Sequence, residues 1–200
     1  YTYSKRIKPI FENIEDESNA IAEKKYQELG KHYNPDYHDP AILAEDAWLT
    51  GLEHYESMAL MRYNTKLMWI STLYQFWEQQ VRKFVYEEIV RSLWYVCYKI
   101  KEIFLEFNQD IEKLKCWHKI DELRLLVNVI KHGDGWSATQ LKKLRPDFFK
   151  TEFFEQDLLD LYKTTLNEQV LNINDCEFHK YCKALIEFWD VLPERMYSKD

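Results

Sequence analysis

The segment from residue 118 to residue 132 carries side chains that could bind a phosphate and move a proton. On a helix with about 100° per residue, its polar residues fall within one wedge roughly 100° wide; they are Asp121, Arg124, Asn128, Lys131 and His132. Leucine, valine and isoleucine fill most of the remaining arc, so this wedge is the face available to solvent, a partner or a substrate. Any amphipathic helix has a polar face, and that structural interpretation stays open beside a functional one.

These residue types suit cleavage of RNA without a metal ion. The reaction needs a base for the 2′-hydroxyl proton, an acid for the leaving oxygen and a cation for the charged phosphorane. His132 suits either proton transfer, because imidazole titrates near neutral pH. Arg124 could hold phosphate oxygens bidentately, Lys131 could add a point charge, and Asn128 could orient His132 or the ribose. We therefore predict His132, Arg124 and Asn128 as catalytic residues.

The run from Leu123 to Gly133, followed by an Asp/Gly turn, a short helix and a Pro-x-Phe-Phe sequence, resembles the motif region of the HEPN superfamily of prokaryotic helical-bundle proteins. In that family an Arg, often followed by Asn, precedes a His near the end of a helix. Asn128 and His132 match the Asn-to-His spacing, whereas Val127 occupies the usual Arg position and Arg124 lies one turn upstream. The resemblance implies a metal-independent ribonuclease that works as a dimer with the motif at the interface.

A second segment, residues 74–82, is similar to the helix that packs beside the motif helix in this family and often contributes a carboxylate. That similarity makes Glu78 a candidate substrate contact. Glu78 and Arg82 are also four residues apart on one predicted helix, so an ordinary surface ion pair explains them as well.

Residues that follow the motif add candidate substrate contacts. The densest basic cluster of the chain could guide a phosphate backbone, although a solvated helix face gives the same pattern; it consists of Lys142, Lys143 and Arg145. Trp136 lies in the turn after Gly133, where it could stack on an unpaired base or fill the end of the bundle.

Composition limits the classes of protein to which the chain can belong. Its 200 residues carry a formal net charge of −7, which argues against a protein coated in positive charge for wrapping nucleic acid. The content of 46% hydrophobic residues supports a folded core, and the apolar runs are too short to cross a bilayer.

The four cysteines form no C-x-x-C pair, and Cys176, His179 and Cys182 cannot converge on one ion from a helix. We therefore expect reduced thiols and no metal or other cofactor.

The positions of glycine and proline in the chain predict an all-α fold of five to seven helices. Residues 52–132 contain neither glycine nor proline, which excludes the many tight turns that a sheet would need. We expect a single domain, with an N-terminal helix and loop at 1–38, a long-helix core at 39–132 and a helical cap at 133–200. The open points are a break at residues 64–65, a bend near residues 91–93, and a small edge hairpin at residues 162–173, where β-favouring residues cluster. Local signals also predict three N-caps and one helix end: Asn108 before a short helix at 109–116, Ser137 before a helix that ends ahead of Pro146, Asn174 before the last helix, and Gly133 after the helix that ends at His132.

Two functions follow from these observations. The first is a HEPN-like metal-independent endoribonuclease or nuclease-derived effector of a bacterial toxin–antitoxin or phage-defence system, cleaving RNA by His-based acid/base catalysis. The alternative is a non-catalytic HEPN-like dimerising module that binds a protein partner or a nucleotide. Both predict a cytoplasmic homodimer that does not bind a membrane, and the partners would be an RNA substrate and an antitoxin or defence-system protein.

Overall fold

The computed structural model describes residues 3–89, 100–150, 156–166 and 168–193. The fold is all-α, as the sequence predicts, and the described residues contain seven α-helices and no strand. The helices are α1 (Ile14–Gly30), α2 (Pro40–Phe84), α3 (Ile100–Glu106), α4 (Trp117–His132), α5 (Trp136–Leu144), α6 (Leu158–Tyr162) and α7 (Asp175–Asp190). Short π-helical and 3-10 segments lie at Tyr3–Ile7, Lys8–Phe11, Val85–Ile89, Ile111–Lys113 and Pro146–Phe149.

The chain divides into two compact units, residues 1–67 and residues 68–200. α2 runs without interruption through the boundary, so the break considered at residues 64–65 does not occur. The single domain expected from the length, with its parts at 1–38, 39–132 and 133–200, stays a prediction.

In the first unit, α1 and the N-terminal half of α2 approach each other closely. Asp39 starts α2 by accepting a hydrogen bond from the Ala41 N–H at 2.8 Å, with proline as the first helical residue. A Cβ added at Gly51 would lie 2.8 Å from the Ser18 carbonyl oxygen and 2.9 Å from the Ala22 Cβ, so the contact requires glycine.

The second unit is built on aromatic packing between the C-terminal half of α2 and α7. Trp77 and Phe188 meet edge to face with ring centroids 5.1 Å apart, and Phe104 of α3 lies 6.2 Å from Phe188. α5 and α7 both pack on α4, which is buried over most of its circumference. α4 is therefore the element around which this unit is organised.

Several local predictions need correction. The described residues of 162–173 contain no strand. Asn172 donates its backbone N–H to the Phe148 carbonyl rather than to a neighbouring strand of a hairpin. The helix expected at 109–116 is only the 3-10 turn Ile111–Lys113, since Asn108 adopts a left-handed conformation. Ser137 does not cap α5, which begins one residue earlier, at Trp136.

Other local predictions are confirmed or fall outside the described residues. The Asn174 side chain accepts a hydrogen bond from the Glu177 N–H and caps α7 as expected. The bend predicted near residues 91–93 lies outside the described residues. Among the described residues, no helix has a stretch long and apolar enough to span a bilayer.

Candidate functional site

α4 presents the predicted wedge on its exposed side. Its other side contributes a nearly continuous apolar surface to the core, formed by Ile120, Leu123, Leu125, Leu126, Val127 and Val129. Asp121, Arg124 and Asn128 are half-buried, and Lys131 and His132 are exposed in the last turn. We call these five residues the α4 wedge.

The end of α4 fixes where His132 lies. Gly133 adopts a φ of 71°, and its N–H donates to the Val129 carbonyl at 2.8 Å. A Cβ at Gly133 would lie 2.2 Å from the backbone oxygen of Lys163, so no other residue fits without moving the backbone. The Thr165 hydroxyl donates to the Ile130 carbonyl at 3.0 Å. Lys163 and Thr165 thus hold the end of α4 in place, and His132 is the last residue of that helix.

Arg124 is held by its own helix. Its Nε donates to the Asp121 Oδ1 at 2.8 Å, and both side chains are about one third exposed. Within the part of the chain that the structure describes, no hydrogen bond or ion pair is recorded for the side chains of Asn128, Lys131 or His132. The wedge therefore combines one neutralised cation with three polar groups that are open to a ligand.

Val127, the position at which the HEPN pattern has its arginine, belongs to the core. Its side chain is 1% exposed. A guanidinium at this position would be buried, and burial of an unpaired charge is costly. Of the two positions, only that of Arg124 lies on the partly exposed side of α4.

Tyr74 is a neighbour of the wedge that sequence reasoning did not select. Burial raises the pKa of its phenol to about 12, and the phenol also interacts electrostatically with Glu78 on α2 and with Arg124 and Asp121 on α4. This part of α2 therefore lies near Asp121 and Arg124, and the role of Glu78 as a substrate contact stays a prediction. Glu78 itself accepts a hydrogen bond from Arg82 at 3.0 Å, which is the ordinary i,i+4 pair considered from the sequence.

Beside the core face of α4 lies a second polar group, which we call the ion-pair network. It joins α4 and α7 to the residue that follows α5, and its members are Lys119, Glu122, Arg145, Glu177 and Tyr181. Lys119 Nζ contacts Glu122 Oε1 at 2.7 Å and Glu177 Oε2 at 2.8 Å. Arg145 Nη1 contacts the same two oxygens at 2.9 Å each. Two cations are thus interleaved with two buried carboxylates.

The electrostatics of the network favour its charged form. Burial alone would raise the pKa of Glu177, but hydrogen bonds from Arg145, Lys119 and Lys180 outweigh burial and lower it to about 2. Burial, together with the negative charge of Glu122, raises the pKa of Tyr181, whose hydroxyl donates to Glu122 at 2.7 Å. The Glu177 carboxylate therefore stays ionised at neutral pH.

The sequence contains only a partial signal for this network. Lys119 and Glu122 are three residues apart on α4, and Glu177 and Lys180 are three residues apart on α7. Such spacing predicts local pairs. It does not predict that Arg145 bridges the two helices.

The predicted basic cluster separates into two kinds of residue. Arg145 is committed to the network and also makes a bidentate contact with Asp147, at 3.0 and 2.7 Å. Lys142 contacts Asp157 at 2.9 Å and Asp160 at 2.7 Å. The structure thus places these two predicted phosphate contacts in internal ion pairs. Lys143 is exposed, and no carboxylate contact is recorded for it in the described part of the chain.

Trp136 is open to solvent. It is the first residue of α5, and 67% of its surface is exposed, so it does not fill the end of the bundle. An open depression of about 390 Å³ exists elsewhere, lined by Gln80, Lys83, Phe84, Glu87 and Trp189, and it includes none of the predicted site residues.

The cysteines are free thiols where the structure describes them, namely Cys116, Cys176 and Cys182; Cys97 lies outside the described residues. No group of three or more His, Cys, Asp or Glu side chains within the described ranges is arranged to hold a metal ion. Comparisons with protein-family models, curated proteins and solved structures found no match to this chain.

Proposed function

We propose that the chain is a HEPN-like, metal-independent endoribonuclease or nuclease-derived effector of a bacterial toxin–antitoxin or phage-defence system. The observation that carries this proposal is the α4 wedge. Its imidazole stands exposed at a rigid helix end, on the same face as an amide and a guanidinium. The residue types present are those that phosphodiester cleavage requires.

In the proposed reaction, His132 moves the protons. The 2′-oxygen of the ribose attacks the adjacent phosphorus, and His132 takes the 2′-hydroxyl proton. The bond from phosphorus to the 5′-oxygen breaks, and the leaving oxygen receives a proton from the protonated imidazole of a second His132 or from water. The RNA is left with a cyclic phosphate on one side and a free 5′-hydroxyl on the other.

The other members of the wedge stabilise and orient. Arg124 and Lys131 carry the positive charge that offsets the developing phosphorane. To contact phosphate oxygens with two N–H groups, Arg124 uses the nitrogens that Asp121 does not occupy, or exchanges Asp121 for the substrate. Tyr74 remains protonated at neutral pH, because its pKa is raised to about 12, and it acts as a hydrogen-bond donor beside Arg124.

The proposal includes a homodimer with His132 near the two-fold axis, so that the two wedges form one site. Light scattering on the full chain at tens of micromolar measures the mass directly. A stable monomer would contradict the shared site. In a second experiment, a variant that lacks the native cysteines and carries Lys131→Cys is expected to cross-link to its copy.

A second candidate function is favoured by one specific observation, the ion pair between Arg124 and Asp121. If that pair keeps Arg124 from reaching a phosphate, the chain is a non-catalytic HEPN-like dimerising module that binds a protein partner or a nucleotide. Arg124 then has a structural role on its own helix.

Cleavage of RNA by the purified chain is the decisive experiment. Replacement of His132 by Ala is expected to lower the cleavage rate by at least about a hundredfold, the usual minimum for loss of a general acid or base. The matched control is His118→Ala, an exposed histidine near the start of the same helix whose Nδ1 lies 2.6 Å from the Lys115 carbonyl. Cys176→Ala and an added chelator should have no effect. Cleavage that survives His132→Ala, or that stops with chelator, would contradict the mechanism.

A further inference from the structure

We propose that the exposed face of α5 binds single-stranded RNA, with Trp136 stacking on an unpaired base and Lys143 contacting a phosphate. This inference rests on the proposed function and narrows its substrate class to RNA with unpaired bases. It assigns a binding surface outside the α4 wedge.

The two residues lie on one face of α5. At about 100° per residue, Lys143 falls roughly 20° from Trp136 around the helix and about 10 Å further along its axis. Ala138 and Leu141, on the other side, are fully buried, which fixes the orientation of the face. An indole that is 67% exposed offers a ring face to a base without any rearrangement of the protein.

The charges around this face favour an anion. α5 contains no acidic residue, although the chain as a whole carries a net charge of −7. Three neighbouring carboxylates already take part in ion pairs within the protein: Asp134 contacts Lys163 at 3.0 Å, and Asp157 and Asp160 share Lys142. Lys143 and Lys131 are the cations near the face for which no ion pair is recorded in the described part of the chain. Both lysines are exposed and available to a phosphate.

The position of Trp136 connects this face to the proposed catalytic histidine. Trp136 lies four positions after His132, so their Cα atoms are at most about 14 Å apart. A base stacked on Trp136 is therefore within the span of a short oligonucleotide whose scissile phosphate reaches His132. Bases inside a duplex are stacked on their own neighbours and are not available to an indole, so the platform selects single strands.

The test measures RNA binding by the full-length chain carrying His132→Ala, which keeps the RNA intact. The probe is a fluorescein-labelled oligouridine, either alone or annealed to its oligoadenine complement. The added substitutions are Trp136→Ala, Trp136→Phe and Lys143→Ala. The matched controls are Trp48→Ala, whose indole is 60% exposed in the first unit, and Lys31→Ala, an exposed lysine at the end of α1. Cleavage by the unmodified protein is measured in parallel.

We expect Trp136→Ala to weaken binding of the single strand by roughly 5- to 100-fold, the usual loss for one stacked base. Trp136→Phe should retain most of the affinity, because a smaller ring still stacks, and Trp48→Ala should not change it. Lys143→Ala should lower the slope of log affinity against log salt by about 0.7, the value for one phosphate contact on a single strand, whereas Lys31→Ala should leave the slope unchanged. The duplex should bind more weakly than the single strand.

Three results would overturn the inference. Unchanged affinity of Trp136→Ala, while the unmodified protein still cleaves RNA, would refute the platform and leave the proposed function standing. Equal affinity for the duplex and the single strand would show that the surface does not bind unpaired bases. Loss of a co-purifying protein on Trp136→Ala, with RNA binding intact, would assign the face to a protein partner. If no variant binds RNA and the unmodified protein does not cleave it, the proposed function fails as well.

Discussion

Two regions of the second unit contain the same kinds of side chain, which are buried and paired in one region and largely exposed in the other. In the ion-pair network, Lys119 and Arg145 each contact both Glu122 and Glu177, and the side chain of Glu177 is 3% exposed. In the α4 wedge, the polar groups are half-buried or exposed, and one ion pair, between Arg124 and Asp121, is recorded among its five residues.

The difference shows how position determines what a charged residue contributes. A cation surrounded by buried carboxylates stabilises the fold or sets its specificity, and it is unavailable to a ligand. A cation or imidazole on an exposed face adds little to stability and remains free to bind. The comparison therefore predicts that substitutions in the network change stability, and that substitutions in the wedge change activity.

The largest expected effect is in the network. Glu177→Ala leaves Arg145 and Lys119 with one buried carboxylate where there were two, and removal of one partner from a buried ion pair costs about 3–5 kcal/mol of the free energy of unfolding. Urea denaturation followed by circular dichroism measures this change. Cleavage per folded molecule should not change. A loss below about 1 kcal/mol would show that the network behaves like a surface pair.

The next effect concerns Arg124, whose removal separates catalysis from stability. Arg124→Ala should lower RNA cleavage by about a hundredfold, as for loss of one group that stabilises the transition state. It should change the free energy of unfolding by no more than about 1 kcal/mol, because its ion pair with Asp121 is half-exposed.

Moving the arginine to its usual place in the HEPN pattern should not restore activity. Val127→Arg buries a guanidinium in the core and should destabilise the protein. A folded Arg124→Ala protein that cleaves RNA at the normal rate would show that Arg124 is not a catalytic residue.

Acid should weaken the network. The pKa of Glu177 is about 2 in the folded protein and 4.5 as the ordinary value, so its contribution to stability is complete above the ordinary value and is lost as the pH falls towards 2. The expected loss over this window is roughly 2–3 kcal/mol. Urea denaturation at several pH values between 5 and 2 measures it, and Glu177→Gln should flatten the dependence.

The smallest effect is expected at the edge of the network. Lys180 also contacts Glu177, at 2.8 Å, but its side chain is 60% exposed. Lys180→Ala should therefore leave the melting temperature almost unchanged, whereas Lys119→Ala, which removes a largely buried partner, should lower it clearly. Thermal melts of the two variants, side by side, test whether burial decides the outcome. Equal costs would contradict this account.

The sequence was enough to predict most of the helices. The absence of glycine and proline between residues 52 and 132 predicts a helical core, and α4 and the larger part of α2 lie within it. Caps are encoded locally, so Asn174 at α7 and Gly133 at the end of α4 were predicted correctly. Ser137 was assigned wrongly as a cap, since the capping pattern also fits a serine in the first turn of a helix that begins one residue earlier.

What the sequence determined about the candidate site is the grouping of side chains on one helix. Helical periodicity alone places Arg124, Asn128 and His132 on one face of α4, because their angular positions depend only on residue spacing. It places Val127 only about 60° from Arg124, at the edge of that face, and the burial of Val127 in the core is seen only in the structure.

Only the tertiary structure decided which charges remain available. Arg145 lies 23 residues from Glu122 and 32 residues from Glu177 along the chain, and the fold brings both carboxylates within 2.9 Å of it. Lys143, two residues earlier, faces away from the core and has no recorded carboxylate contact in the described residues. Ion pairing depends on distances in space, and residue spacing predicts those distances within one helix but not between helices.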